Sequence, residues 1–126
     1  MIRVIFLDLD GTLLGSDYSP ERARLVIEEL LGRGYEVVVN TSKTRYEVEY
    51  YLKAWGLEKP FVVENGSAVY VPTNYLSPKV VGEFGVKHGK YRVIELGKPY
   101  SEIKRALDGL SQRYGLKYYG NSTLDE

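Results

Sequence analysis

Ile2-Arg3-Val4-Ile5-Phe6-Leu7-Asp8-Leu9-Asp10-Gly11-Thr12-Leu13-Leu14 decides how the rest of the chain is read. Ile2 to Leu7 is a nearly continuous β-branched and aromatic run, the pattern of a strand buried on both faces of a parallel sheet. Beyond it, Ser19-Pro20-Glu21 supplies a hydroxyl N-cap, a proline in the first turn and an acid at the positive end of the helix dipole. Ala23, Val26, Ile27, Leu30 and Leu31 then recur on one helical face, and Gly32 and Gly34 end the helix. Tyr35 to Asn40, with Val37-Val38-Val39, reads as a second buried strand, so this β-α-β run predicts parallel pairing. The pattern repeats through Val48, Tyr51, Leu52 and Trp55 to Gly56 and a third strand at Phe61-Val62-Val63. Asn65-Gly66 marks a tight turn, after which Ala68 to Val71 pairs back as a hairpin until Pro72.

Proline, glycine and polar residues dominate from Pro72 to Gly89, which predicts a connection to a second unit. In that unit Tyr91 to Leu96 reads as a strand. Ile103, Ala106, Leu107, Leu110 and Tyr114 form a helix face, Gly115 caps it, and Leu116 to Tyr119 reads as a further strand. Thr123 and Glu126 have the capping-box spacing of a further helix start, with no helix after them. The expected class is therefore α/β, a Rossmann-like parallel sheet over residues 1–80 followed by the start of an α+β unit over residues 81–126.

Composition narrows the chemistry. With 126 residues, 44% apolar and 27% charged, the chain suits one ordinary core rather than a disordered or fibrous segment. Lys plus Arg and Asp plus Glu each number 17, so no basic surplus points to nucleic acid or to an anionic membrane, and any anion is bound locally. The absence of cysteine excludes disulfide frameworks, zinc fingers and thiol nucleophiles, and the single histidine excludes a His-rich metal site. The N-terminal apolar run, broken by Arg3 and stopped by Asp8, is too short for a signal-peptide core or a membrane span. A soluble cytoplasmic protein is the expectation.

Asp8 and Asp10 lie at the C-terminal end of the first strand and are two residues apart, so strand geometry projects both carboxylates to one side. Open parallel sheets bind ligands beyond the carboxyl ends of their strands, and paired hard oxygen ligands suit Mg²⁺. Gly11 and Thr12 permit a tight turn and offer amide donors to an anion. An EF-hand loop also begins D-x-D, but Thr12, Leu13 and Ser19 each break its pattern, and no G-x-G-x-x-G follows the strand as a dinucleotide site would need. The plain structural alternative is an Asp-Gly turn leaving a strand. At the end of the second strand, Asn40-Thr41-Ser42-Lys43-Thr44 brings hydroxyls and an ammonium to the same sheet edge, a cradle for phosphoryl oxygens from Thr41, Ser42 and Lys43. The alternative there is an N-cap at Ser42 or Thr41, with Lys43 and Arg45 solvated.

Asp8 to Leu14, Val39 to Thr44 and Glu64-Asn65-Gly66-Ser67-Ala68 together resemble the haloacid dehalogenase superfamily, in its sugar-phosphatase branch with a large cap. The resemblance runs over the whole chain but covers only the first part of such an enzyme. It implies a partial core over residues 1–80 and the beginning of a cap over residues 81–126. It further implies Asp8 as nucleophile, Asp10 as general acid and base, Gly11, Thr12, Thr41, Ser42 and Lys43 around the phosphate, and Mg²⁺ on Asp8 and Asp10. The implied substrate is a phosphorylated sugar or glycerate, with phosphoglycolate an alternative. The family's later lysine and Gly-Asp-x-x-x-Asp segment have no counterpart here, since Lys79, Lys87, Lys90, Lys98, Lys104, Lys117, Asp108 and Asp125 lack that context. The first strand is then expected to be an unprotected apolar edge open to homodimer formation, and a non-catalytic half-domain is the rival reading. Trp55 is expected in the core, His88 in an exposed turn, and the pairs Tyr50-Tyr51 and Tyr118-Tyr119 in packing or against sugars.

Overall fold

The computed structural model describes residues 1–81 and 84–118, except for the side chains of Pro78 and Val81. Six strands form one mixed sheet: β1 (Arg3–Leu7), β2 (Tyr35–Asn40), β3 (Phe61–Val63), β4 (Ala68–Pro72), β5 (Val86–His88) and β6 (Tyr91–Glu95). Their order across the sheet is β1-β2-β3-β4-β6-β5. The expected parallel pairing holds for β1 with β2 and β2 with β3, and the hairpin at Asn65-Gly66 turns β4 back antiparallel to β3. Two helices, α1 (Pro20–Gly32) and α2 (Arg45–Ala54), make the crossovers, and α1 packs on β2 and α2 on β3.

The period-two alternation of the strands sets the core. Val37, Val39, Phe61, Val63, Ala68, Tyr91 and Val93 are buried, and the registers place them on one face of the sheet with Ile5, Leu7 and Tyr70. Ala23 and Ile27 of α1 and Val48, Tyr51 and Leu52 of α2 complete this layer. On that face the Phe61 and Tyr70 rings stack at 5.1 Å, and the Tyr91 ring meets Phe61 edge-on at 5.4 Å.

Several expectations shift. β1 lies at the edge of the sheet, as expected, but it is not buried on both faces: on the face away from the helices Val4 and Phe6 stay exposed, Phe6 by 63%. The stretch 72–89 is not only connection, because it contains α3 (Pro78–Val81) and β5. At Gly85 the backbone has φ +71°, and a Cβ there would lie 2.5 Å from the Val93 carbonyl oxygen, so only glycine lets the chain close onto β6. Finally, β6 hydrogen-bonds β4 and belongs to the first sheet, so the first compact unit runs Met1–Leu96 rather than ending near residue 80. The second unit, Gly97–Glu126, contains α4 (Tyr100–Tyr114), ended by Gly115 in the left-handed conformation. The apolar stripe of α4 is exposed at Ile103, Leu107, Leu110 and Tyr114. Leu116 to Tyr118 form no strand, while Tyr119 and the Thr123–Glu126 capping pattern lie outside the described residues. Among the described residues, no helix is long and apolar enough to cross a membrane.

Candidate active site

The turn after β1 is built by its own backbone. The Leu14 N–H donates to the Leu9 carbonyl at 2.8 Å, and Leu9, Leu13 and Leu14 are buried, so the turn is anchored in the core at both ends. Gly11 takes φ +71°, a conformation that side chains rarely adopt. The Gly11 and Thr12 amides, expected to face an anion, are instead spent inside this turn on the Leu14 and Leu9 carbonyls, at 3.1 and 3.3 Å. Asp8 accepts from the Leu9 N–H at 2.7 Å, which orients its carboxylate at the strand end.

The loop after β2 is tied to the loop after β3. The Thr41 N–H donates to Val62, the Asn65 N–H to the Thr41 carbonyl and the Glu64 N–H to the Lys43 carbonyl, all at 3.0–3.1 Å. Glu64 and Asn65 both have positive φ, 50° and 57°, so the turn at Asn65-Gly66 is bent to reach these partners. Thr41 is 3% exposed, and its hydroxyl accepts the Lys43 N–H at 3.2 Å, leaving it ordered at the floor of the loop. Ser42 is exposed beside it.

Lys43 joins the two loops. Its ammonium lies 3.3 Å from Asp10 Oδ1 and 3.4 Å from Glu47 Oε1, with only 14% of the side chain exposed. Burial pushes the Lys43 ammonium down, but Asp10 and Glu47 outweigh it and hold the pKa above the usual lysine value. The Glu47 carboxyl is pushed up by burial and pulled further down by hydrogen bonds from the Thr44 N–H and hydroxyl, at 2.8 and 2.9 Å, and by Lys43.

The N-cap of α2 is therefore Thr44, not Thr41 or Ser42, which leaves both of those hydroxyls to the loop. Lys43 and Arg45 are not solvated either: Arg45 is half-buried, 3.4 Å from Glu49, with its guanidinium 5.5 Å from the Tyr70 and Tyr91 ring centres. The Arg45 Nε is buried without a hydrogen-bond partner. Burial, then Glu49, raises the Tyr91 phenol.

Sequence reasoning thus located Asp8, Asp10, Thr41 and Lys43 at one edge of the sheet but missed Glu47 and Tyr18. Glu47 was legible in the Thr44-x-x-Glu47 capping spacing and the Lys43-x-x-x-Glu47 ion-pair spacing. Tyr18, whose ring centre lies 5.2 Å from the Lys43 ammonium, gave no local signal, because the contact joins residues far apart in the chain. Trp55 is buried as expected, and its indole N–H donates to the Pro20 carbonyl at 2.8 Å. His88 is exposed, but on β5 rather than in a turn.

Among the described residues no group of three acidic or histidine side chains converges on a metal position. Magnesium keeps several waters and is commonly held through one or two carboxylates, so the hard oxygens of Asp8 and Asp10 remain a fitting, if sparse, protein share of its shell.

The family model for haloacid dehalogenase-like hydrolases matches residues 5–84. Mannosyl-3-phosphoglycerate phosphatase from Pyrococcus furiosus is 56% identical over 126 residues, which are 100% of this chain and 50% of that protein. The protein of the same name from Pyrococcus horikoshii is 49% identical over the same shares. The chain thus spans about half the length of the curated relatives it matches. Among solved structures, a haloacid dehalogenase-like hydrolase from B. subtilis aligns with a TM-score of 0.57 at 26% identity, over 88% of this chain and 33% of that one. A hypothetical protein from Geobacillus kaustophilus HTA426 shares the fold with a TM-score of 0.61 at 22% identity, over 91% and 38% of the two chains. By its β1 motif, its sheet and the match over residues 5–84, the chain belongs to the haloacid dehalogenase-like hydrolases.

Proposed function

We propose that this chain carries the nucleophile-bearing part of a magnesium-dependent phosphomonoester hydrolase that works through an aspartyl-phosphate intermediate. The observation that carries the reading is the meeting of Asp10 and Lys43 at 3.3 Å, which brings the acidic turn after β1 and the hydroxyl-rich loop after β2 to one point. The likeness to the two Pyrococcus proteins makes mannosyl-3-phosphoglycerate the substrate of choice, giving mannosylglycerate and phosphate.

In this reading an Asp8 carboxylate oxygen attacks phosphorus, and the bond to the leaving sugar or glycerate oxygen breaks as Asp10 delivers its proton to that oxygen. Asp10 then takes a proton from water, whose oxygen attacks the phosphoryl group, and Asp8 leaves as a carboxylate. The Thr41 hydroxyl and Lys43 ammonium hold the non-reacting phosphoryl oxygens, with Ser42 and the Thr12 hydroxyl at the rim. Magnesium, held by the Asp8 carboxylate and the Asp10 backbone carbonyl, would screen the repulsion between an anionic nucleophile and an anionic substrate.

The test is phosphate release by this chain from mannosyl-3-phosphoglycerate with and without Mg²⁺, beside Asp8→Asn. Metal-dependent release that disappears in the variant is the expected result. Absence of release from the unaltered chain would refute the reading for these 126 residues. It would favour a non-catalytic half-domain that folds by strand pairing with another chain, a second reading supported by the place of β1 at the edge of the sheet among the described residues.

A further inference from the structure

Tyr18 stands in the segment between the β1 turn and α1 with φ +53°, a left-handed conformation that a bulky residue rarely adopts. Such a backbone persists where the surroundings over-determine it, and here they do. The Tyr18 N–H donates to the Gly15 carbonyl at 3.1 Å, and the Tyr18 carbonyl accepts the Tyr51 hydroxyl at 3.3 Å. Two residues on, the Pro20 carbonyl accepts the Trp55 indole N–H at 2.8 Å. Two buried aromatic side chains, Tyr51 on α2 and Trp55 at its C-cap, therefore reach across to brace this segment.

What the brace presents is the Tyr18 ring, whose centre is 5.2 Å from the Lys43 ammonium. Lys43 has two competing anions: Glu47 in the first turn of α2 draws the ammonium towards that helix, and Asp10 draws it towards the β1 turn. A lysine ammonium is a point charge on a flexible stem, with no planar fork to fix its direction. The negative face of an aromatic ring supplies the missing constraint without adding a charge that an incoming phosphate would have to displace.

Resting on the phosphate reading of this site, we infer that Tyr18 is a positioning residue: its ring holds the Lys43 ammonium beside Asp10, where a phosphoryl oxygen is to bind. The role belongs to the ring and not to the hydroxyl, so a phenyl ring replaces it and an aliphatic side chain does not.

Two measurements on Tyr18→Leu, Tyr18→Phe and Lys43→Met test this. The first is the NMR shift of the Lys43 ε-methylene, displaced upfield by ring current in the unaltered chain and in Tyr18→Phe, and returned to the ordinary lysine position in Tyr18→Leu. The second is calorimetric binding of inorganic phosphate with Mg²⁺ present. Tyr18→Leu is expected to weaken it about two- to fivefold, with Tyr18→Phe restoring it and Lys43→Met losing more than either. If Lys43→Met weakens binding but Tyr18→Leu does not, or if Tyr18→Phe fails like Tyr18→Leu, the positioning role is overturned while the site reading stands. If the ring-current shift is present but Lys43→Met binds phosphate unchanged, it is the phosphate reading that falls, and the positioning role with it.

Discussion

Replacing Trp55 by phenylalanine tests how firmly α2 holds the Tyr18–Pro20 segment. Trp55 is 5% exposed, its ring centre is 5.7 Å from that of Tyr51, and its indole N–H is bonded to the Pro20 carbonyl. A phenyl ring leaves a void of roughly 40 Å³, which at about 24 cal/mol per Å³ costs about 1 kcal/mol. It also removes the donor to a half-buried carbonyl, for which about 1 kcal/mol is the low end of the usual penalty. The sum of about 2 kcal/mol corresponds, for a chain of this size, to a melting temperature lower by about 6–10 °C. Urea denaturation followed by far-UV circular dichroism reads the free energy, and chymotryptic cleavage after Tyr18 reads the segment itself. Cleavage is expected to be several-fold faster in the variant. A loss below about 0.5 kcal/mol with unchanged cleavage would refute the brace, because it would mean that neither the indole volume nor its hydrogen bond is used.

Three further outcomes follow from other parts of the fold. Glu36 accepts from Lys59 at 2.7 Å and from the Tyr75 hydroxyl at 2.6 Å, and these hydrogen bonds, Lys59 first, hold its carboxyl below the usual glutamate value. A lowered folded pKa gives stability that is complete above the unfolded value and is lost as the pH falls through the folded one, so Glu36→Gln is expected to flatten the acid limb of a stability profile below about pH 4.5. Tyr75 behaves oppositely: burial, then Glu36, raises its phenol to about 12, so its share is complete below pH 10 and lost towards pH 12, and Tyr75→Phe should remove that alkaline limb. At the sheet edge, the exposed Val4 and Phe6 on β1 predict concentration-dependent self-association, and Phe6→Lys is expected to shift a light-scattering mass towards the monomer. A clean monomer at all concentrations before substitution would contradict that edge role.

The parts of the fold that the sequence makes legible are those written in short-range periodicity. The alternation of Val37, Val39, Phe61 and Val63, the proline-led start of α1 and the Asn65-Gly66 turn each reach their place through neighbours a few residues away. What periodicity cannot show is which neighbour a strand finds. Tyr91 to Leu96 reads as a strand and β6 spans Tyr91–Glu95, but its pairing with β4 is decided by a register between distant segments, and so the first unit extends to Leu96. Burial of β1 on both faces does not follow from its sequence for the same reason, since an apolar run specifies a strand but does not supply the layer that covers it. At the candidate site, Asp8, Asp10 and Lys43 follow from residue type at strand ends. The loss of the Gly11 and Thr12 amides to the turn, and the arrival of Tyr18, depend on tertiary geometry.

The charges at that site constrain what can bind there. Asp10 and Glu47 share the one positive charge of Lys43, and Asp8 lies two residues before Asp10 at the same strand end, so these four side chains carry a formal −2 before any substrate arrives. A phosphomonoester adds nearly two more at neutral pH, and bringing these together within a few ångströms costs several kcal/mol unless cations enter or a carboxyl takes up a proton. Lys43 cannot meet that demand alone, because its ammonium is already shared between two carboxylates. Phosphate binding by this chain should therefore tighten steeply with Mg²⁺ concentration. It should also strengthen in Glu47→Gln, where the competitor for Lys43 is neutral, provided that the amide still caps Thr44. Calorimetric titration with inorganic phosphate at several Mg²⁺ concentrations separates the two effects. Equal affinity in Glu47→Gln and the unaltered chain would mean that Lys43 is not the group that meets the anion.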